Sequence, residues 1–95
     1  MMKVIICTGR DGQAVVYGEI AGDELPLPGE KVRIKNARMV LSWMGRAGLF
    51  GLAKHGPEEG SRISCQVAAT TCTAKQSLSV SAAAVEKIER WPDAE

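Results

Sequence analysis

One short stretch of the sequence combines a strand pattern with positive charge on a single side. Lys31, Arg33 and Lys35 alternate with the aliphatic residues Val32 and Ile34. Because successive side chains of a strand point to opposite faces of a sheet, the three cations are predicted to share one face. Arginine offers phosphate a planar fork of donors and lysine offers a mobile point charge, so this row could bind an anionic ligand.

The alternative explanation for this row is an ordinary solvated strand face, with Glu19 or Glu30 as neighbours across the sheet. Charged side chains on a protein surface are usually solvated and bind nothing. Arg38 follows the row beyond a break in the alternation, and we include it with Arg33 and Lys35 among the candidate ligand-binding residues. The sequence leaves both explanations open.

Trp43 and Arg46 are two further candidates, because they lie next to a glycine-rich turn. A tryptophan there could stack on a base or insert into a partner, although a place in the core is more common. The run Gly45-Arg46-Ala47-Gly48 has the G-x-x-G pattern with which KH domains clamp a nucleic-acid backbone. That loop joins two helices, whereas here the run follows a predicted strand, and it matches neither the dinucleotide fingerprint nor the P-loop.

No residue pattern indicates catalysis or a metal site. His55 is the only histidine, and its predicted position at the end of a helix suits a charged cap better than a general base. Cys7, Cys65 and Cys72 are odd in number and lack C-x-x-C spacing, which argues against a disulfide framework or a zinc site. Cys65 and Cys72 have strand-like surroundings and are predicted to be buried small hydrophobic residues. We therefore predict a protein that is not an enzyme and needs no cofactor or metal.

The composition is that of a small protein with nearly balanced charge. The 95 residues include 12 Lys plus Arg and 11 Asp plus Glu, for a net charge of +1, which disfavours direct nucleic-acid binding. We predict a single domain over residues 1–95, and the small core of such a domain favours a homo-oligomer. The apolar run near the amino terminus is too short for a signal peptide or a membrane span, and the cysteines suit a reducing cytosol.

Glycine and proline residues divide the chain into predicted strands and helices. The runs 3–8 and 13–20 predict a β-hairpin, and the long strand that starts near residue 30 is predicted to bulge at Asn36-Ala37. A short helix is expected within 46–55, strands at 62–73 and 77–80, and a last helix capped by Ser81 and stopped by Pro92. These elements predict an α+β fold, with a small, mainly antiparallel sheet, a short middle helix and a C-terminal helix.

The central part of the chain resembles small phage and prophage proteins of unknown function. The similarity is carried by Lys35-Asn36-Ala37-Arg38, Trp43-x-Gly45 and Leu49-Phe50-Gly51-Leu52-Ala53. Those proteins have about this length, and they likewise open with a short hairpin and close with a Ser-capped helix that carries a tryptophan. The resemblance implies a viral origin and brings no catalytic residue or ligand with it. The segment 68–73 departs from the pattern, which puts its strand pairing in doubt.

A phage protein of this kind is expected to act by binding, in the host cytoplasm and without a membrane. The leading hypothesis is a counter-defence protein that occupies a host immune factor or sequesters an anionic nucleotide signal at a subunit interface. Arg33, Lys35 and Arg38 would hold that nucleotide. The alternative is a virion or assembly component that packs through its sheet edges.

Overall fold

A computed structural model describes residues 1–45 and 47–94, and these residues form a six-stranded sheet with two helices. The strands are β1 (Met2–Thr8), β2 (Ala14–Ile20), β3 (Lys31–Ser42), β4 (Arg62–Thr73), β5 (Gln76–Ser79) and β6 (Asp93–Ala94), and the helices are α1 (Gly48–His55) and α2 (Ala82–Arg90). The strand order is β5-β1-β2-β3-β4-β6. Every neighbouring pair is antiparallel except β4 and β6, which confirms the predicted α+β fold.

The predicted hairpin at the start of the chain is confirmed. β1 and β2 pair in register from Met2 with Ile20 to Thr8 with Ala14. The turn closes with a 3.2 Å hydrogen bond from the Gly12 amide to the Gly9 carbonyl. The dihedral φ is 90° at Gly9 and 68° at Gly12, a region that favours glycine.

The predicted bulge in β3 is also confirmed, and it bends the sheet. Asn36 has φ of 51°, and the register between β2 and β3 shifts between the pairs Tyr17 with Arg38 and Glu19 with Lys35. The extra residue in β3 therefore lies opposite Gly18, where the two backbones approach closely. Because a bulge adds one residue, side chains before and after it exchange faces.

The sheet curls so that its two sides meet at one end. β4 lies at one side of the sheet and β5 at the other, yet only Ala74 and Lys75 connect them. The Ala74 amide donates to the Glu30 carbonyl at 2.9 Å, and the Lys75 amide donates to the Cys7 carbonyl at 2.8 Å. The chain thus crosses directly from β3 to β1, and the strands form a partly closed barrel.

Two hydrophobic clusters lie on opposite faces of the sheet. The cluster beneath the helices consists of Ile5, Cys7, Val15, Tyr17, Val40, Leu52, Ala53, Ile63 and Ile88. The cluster inside the curl consists of Val4, Ile6, Val16, Ile20, Val32, Ile34, Ala37 and Ala74. Small aliphatic side chains predominate in both, as the composition predicts, and β1 and β2 are buried on both faces.

The two helices are held by different means. α2 has the predicted cap, because the Ser81 hydroxyl accepts a hydrogen bond from the Ala84 amide at 3.1 Å. The same hydroxyl donates to the Lys54 carbonyl at 2.5 Å, which joins the end of α1 to the start of α2. No side chain of the described residues caps the amino end of α1, and the last amide hydrogen bond of this helix runs from Gly56 to Leu52.

Three findings differ from the sequence-based expectations. Residues 69–73 pair in regular register with 31–35, so the doubt about strand pairing there was wrong. Cys65 is exposed and not buried, because it lies on an edge of the sheet. The two-residue strand β6, which follows Pro92, was not predicted.

Candidate functional site

The row of cations on β3 lies on an open face of the sheet. Lys31, Arg33 and Lys35 are exposed, while Val32 and Ile34 between them are buried inside the curl. Cross-strand neighbours share a face, and the neighbours of the three cations on β4 are Thr73, Thr71 and Ala69 in that order. The result is a strip of three cations beside a strip of small and hydroxyl side chains, all of them exposed.

Two acids close to this row, Glu19 and Glu30, form their hydrogen bonds with other groups. Glu19 lies across from Lys35, but its carboxylate forms a 2.6 Å salt bridge with Lys3. The Glu30 carboxylate accepts a 2.6 Å hydrogen bond from the Leu27 amide in the preceding loop. Within the described ranges, no salt bridge forms to any of the three cations of the row.

Arg38 does not belong to the exposed row, which corrects the sequence-based assignment. Its side chain is only 4% exposed. The guanidinium donates to the Ser64 carbonyl at 2.8 Å, to the Ile88 carbonyl at 2.5 Å and to the Asp93 carboxylate at 2.9 Å. The α2 end and β6 close over the side chain, so Arg38 joins elements of the fold and is not available to a ligand.

The two remaining candidates do not extend the site. Trp43 is half-buried and packs against the cluster beneath the helices, in agreement with the core position considered for it. Arg46 lies outside the described residues. The structure therefore brings together Arg33 and Lys35 from the predicted set, with Lys31 and Thr71 as the neighbours that complete the face.

A polar network that sequence reasoning missed lies where α2 crosses β1 and β2. The Lys3 ammonium contacts the carboxylates of Glu19 and Glu89 at 2.6 Å each, and the Tyr17 hydroxyl donates to Glu89 at 2.7 Å. The hydrogen bond from Lys3 lowers the pKa of Glu19. Hydrogen bonds from Lys3 and then Tyr17 lower the pKa of Glu89. Burial disfavours the charged form of Lys3, but its bonds to both acids outweigh this and raise its pKa.

The same network fixes the protonated form of Tyr17. Burial and the neighbouring Glu89 carboxylate raise the pKa of the phenol, so it stays a hydrogen-bond donor. A surface cleft of about 640 Å³ adjoins the network and includes Lys3, Glu86 and Glu89 in its lining. Its mixed charges are paired with one another, and we regard this region as one that docks α2 on the sheet.

β3 and β4 carry exposed apolar side chains, and β4 also has an open strand edge. Met39, Leu41 and Val67 are 44%, 46% and 48% exposed. Among the residues that the structure describes, β6 pairs with β4 at Ile63 and Ser64. Within the described ranges, no strand pairs with the outer edge of β4 over 65–73.

Over residues 1–45 and 47–94, no cluster of three or more His, Cys, Asp or Glu side chains is arranged to hold a metal ion. None of the helices in these same ranges has the length and apolar character needed to cross a membrane.

Comparison with known proteins gives a family and no activity. Residues 1–88 match the family model described as a domain of unknown function (DUF6948), and the chain belongs to this family. Neither the curated proteins nor the solved structures provide a match.

Proposed function

We propose that this chain is a non-enzymatic binding protein that holds an anionic ligand, with a phosphate-bearing nucleotide as the expected class, on the open face of β3 and β4. The observation that carries the proposal is the row Lys31, Arg33 and Lys35, three exposed cations that form no salt bridge within the described ranges. Two acids beside the row, Glu19 and Glu30, are bound to Lys3 and to the Leu27 amide, and Glu24 lines the same cleft as Lys31 and Arg33.

The chemistry of the face suits phosphate. Arg33 can offer two parallel donors to one phosphate group, and the lysines on either side add positive charge. The Thr71 hydroxyl, which lies across from Arg33, can donate a further hydrogen bond. Since the face is open and its main interactions are ionic, binding is expected to weaken as salt is added.

The resemblance to phage and prophage proteins gives this binding a biological setting. We infer a counter-defence protein that acts in the host cytoplasm, where it sequesters an anionic nucleotide signal. The sequestered nucleotide would be recovered unmodified, because binding alone removes it from its receptor.

The direct test compares Arg33→Gln/Lys35→Gln with the control Lys54→Gln/Lys87→Gln. Both variants lose two exposed positive charges, but the control loses them on the helices. Pyrophosphate, mononucleotides and dinucleotides are added to each protein in a thermal-shift assay, followed by calorimetry. Wild type and control should gain melting temperature with ligand concentration, as mass action requires, and the β3 variant should not.

Two results would overturn the proposal. One is a wild-type protein that no phosphate compound stabilises. The other is an equal loss of binding in the β3 variant and its control, which would indicate a general charge effect. Recovery of a cleaved nucleotide after incubation would replace the binding protein with an enzyme.

A virion or assembly component is the second candidate. The open edge of β4 and the exposed Met39, Leu41 and Val67 favour it, because such surfaces suit packing against other chains. Detection of the protein in purified virions at stoichiometric amounts would support this candidate, and its absence from virions that infect normally would reject it.

A further inference from the structure

We propose that a second copy of this chain occupies the open edge of β4, by antiparallel pairing of residues 69–73 about a two-fold axis at Thr71. The pairing extends the sheet across two protomers. It also places the cation rows of both on one continuous face, which then fits a ligand with two or more phosphate groups. The second part of this inference rests on the proposed function, whereas the first part does not.

The residue types along the edge of β4 support this pairing. From Ile63 to Thr73 the strand contains no charged residue, no proline and no glycine. Natural sheet edges are usually blocked by a lysine, a proline or a bulge, because an open row of amides and carbonyls pairs readily with another strand. β6 covers β4 at Ile63 and Ser64, and the segment 69–73 has none of these protecting features. At the end of this segment the Thr73 carbonyl accepts a 2.7 Å hydrogen bond from the Thr8 hydroxyl and keeps its second lone pair for a partner strand.

The register of β4 against β3 selects the segment that can pair. Ala69 lies across from Lys35 and Val67 across from Ala37, and the bulge at Asn36 puts Lys35 and Ala37 on opposite faces. Side chains of β4 therefore stop alternating regularly between Val67 and Ala69. A partner strand can continue the regular ladder only along 69–73.

An axis at Thr71 makes this segment its own partner. Thr71 then lies across from Thr71 of the second copy, and Ala69 lies across from Thr73. Paired threonines stabilise an antiparallel ladder, and no like charges meet. A strand with a charge near the axis would repel itself, so the neutral segment favours a second copy of this chain.

The symmetry of this pairing decides where the cations lie. A two-fold axis perpendicular to the sheet keeps the same face of both copies on the same side. Because Arg33 is across from Thr71, the order over the interface is Arg33, Thr71, Thr71 and Arg33. Three strand spacings separate the two copies of β3, a distance of about 14 Å.

At this distance, repulsion between the two cation rows does not prevent the pairing. The distance exceeds the screening length of about 8 Å at physiological ionic strength, so the two cation rows barely repel each other without a ligand. A ligand on the neutral strip between the rows could place one phosphate near each Arg33. A ligand with a single phosphate reaches one row only and should bind more weakly.

Cysteine crosslinking tests the register. In a Cys65→Ser/Cys72→Ser background, Thr71→Cys should form a disulfide-linked dimer under mild oxidation, because the two introduced thiols face each other across the axis. The matched control is Thr73→Cys on the same exposed edge. Its two copies would lie about 14 Å apart along the strands, beyond the limit of about 7 Å for Cα atoms of a disulfide, so the control should stay monomeric on a non-reducing gel.

Charged substitutions of Thr71, the residue at the axis, test the pairing without crosslinking. Thr71→Glu and Thr71→Lys should each be monomers in analytical ultracentrifugation, because like charges face each other at the axis. An equimolar mixture should form the heterodimer, which a misfolded variant could not do. Ala83→Glu, on the exposed side of α2, should remain as dimeric as the wild type.

Three outcomes would overturn the inference. They are a wild-type monomer at high micromolar concentration, a Thr71→Glu variant that stays dimeric, and equal crosslinking of the Thr71→Cys and Thr73→Cys variants. Anion binding that depends on Arg33 in a monomeric wild type would leave the proposed function standing and reject the pairing. A dimer of the expected register that binds no anion would support the pairing and reject the proposed function.

Discussion

The guanidinium of Arg38 joins four elements of the fold. It lies on β3 and binds the Ser64 carbonyl of β4, the Ile88 carbonyl of α2 and the Asp93 carboxylate of β6. A buried carbonyl that loses its partner costs about 1–3 kcal/mol, so the two carbonyls make this side chain important for stability.

Arg38→Gln should therefore reduce the free energy of unfolding by about 2–4 kcal/mol, since the shorter amide cannot reach all three acceptors. Arg33→Gln provides the matched control on the same strand. Because Arg33 is exposed and forms no salt bridge within the described ranges, its replacement should change stability by no more than about 0.5 kcal/mol. Urea unfolding of both variants measures the difference, and equal losses would contradict the structural role of Arg38.

The network of Lys3, Glu19 and Glu89 predicts how stability depends on pH. The pKa values of both acids are lowered from their ordinary value of 4.5 by their bonds to Lys3. Their ionised forms thus stabilise the folded state above pH 4.5, and this contribution is lost as the pH falls through the lowered pKa values. Glu89→Gln keeps an acceptor for Tyr17 but removes the charge. It should be less stable than wild type at pH 7, and the difference should shrink as the pH falls below 4.5.

Lys3 predicts the opposite dependence at high pH. Its pKa is raised above the ordinary 10.5, so its contribution is complete below pH 10.5 and is lost as the pH rises through the higher value. Lys3→Met should flatten the acid side of the pH dependence of the melting temperature, because Glu19 and Glu89 lose the bonds that lower their pKa values. On the alkaline side Lys3→Met removes the contribution of Lys3, whereas that of Tyr17, whose pKa is raised first by burial, remains. Melting temperatures of the variant and wild type between pH 3 and 11 provide the measurement, and parallel curves would contradict the network.

At the scale of the elements, the bend of the sheet depends on Gly18. A Cβ atom there would lie 2.3 Å from Cγ2 of Ile34 and 2.8 Å from the carbonyl oxygen of Lys35. A contact with backbone cannot be relieved by a rotamer change, so β2 and β3 would have to separate at the bulge. The same movement would displace Lys35 from the cation row.

Gly18→Ala should therefore cost at least about 3 kcal/mol of stability, at the upper end of the range for an overpacked core. Gly29→Ala is the control. Gly29 has a φ of 93°, which disfavours alanine, whereas Gly18 is not among the glycines with positive φ. No atom of the described residues lies within 4 Å of a Cβ added at Gly29, so only backbone strain of about 1 kcal/mol is expected. Thermal unfolding compares the two variants, and similar losses would mean that the close approach at Gly18 is readily relaxed.

Sequence reasoning succeeded at this scale where the cause is local. Alternation predicted the long strand, and its interruption at Asn36-Ala37 predicted the bulge, because both follow from the side-chain period of two. The Ser81 cap was likewise a local signal. The burial of Arg38, in contrast to the exposure of Arg33, was not predictable in this way. α2 and β6, which bury Arg38, are far from it along the chain.

The open edge of β4 was missed for a related reason. The uncharged segment 65–73 is visible in the sequence, but its exposure depends on where β6 ends and on the departure of the chain through Ala74 to the far side of the sheet. The same is true of the three cations, whose charge could be read directly. That their neighbouring acids are engaged by Lys3 and the Leu27 amide required the tertiary structure.

At the scale of the whole molecule, protection from hydrogen exchange should follow the two-sided burial of the sheet. β1 has a strand on each side and is buried on both faces, and Val4, Ile5 and Ile6 are 0% exposed. Its amides should exchange only through global unfolding. α1 contains two glycines and has no side-chain cap from the described residues, so it should open before α2.

Amide hydrogen exchange at the edge of β4 should also depend on the protein concentration. In dilute protein, amides of 65–73 that point away from β3 have no partner within the described ranges and should exchange quickly. Pairing of two copies would protect those within 69–73 as the concentration rises, while Cys65 and Gln66 would stay unprotected. β1 should change little, since its partners are all within one protomer. Exchange measured residue by residue at micromolar and millimolar concentrations tests this. Protection that appears at another surface, or at none, would contradict the pairing.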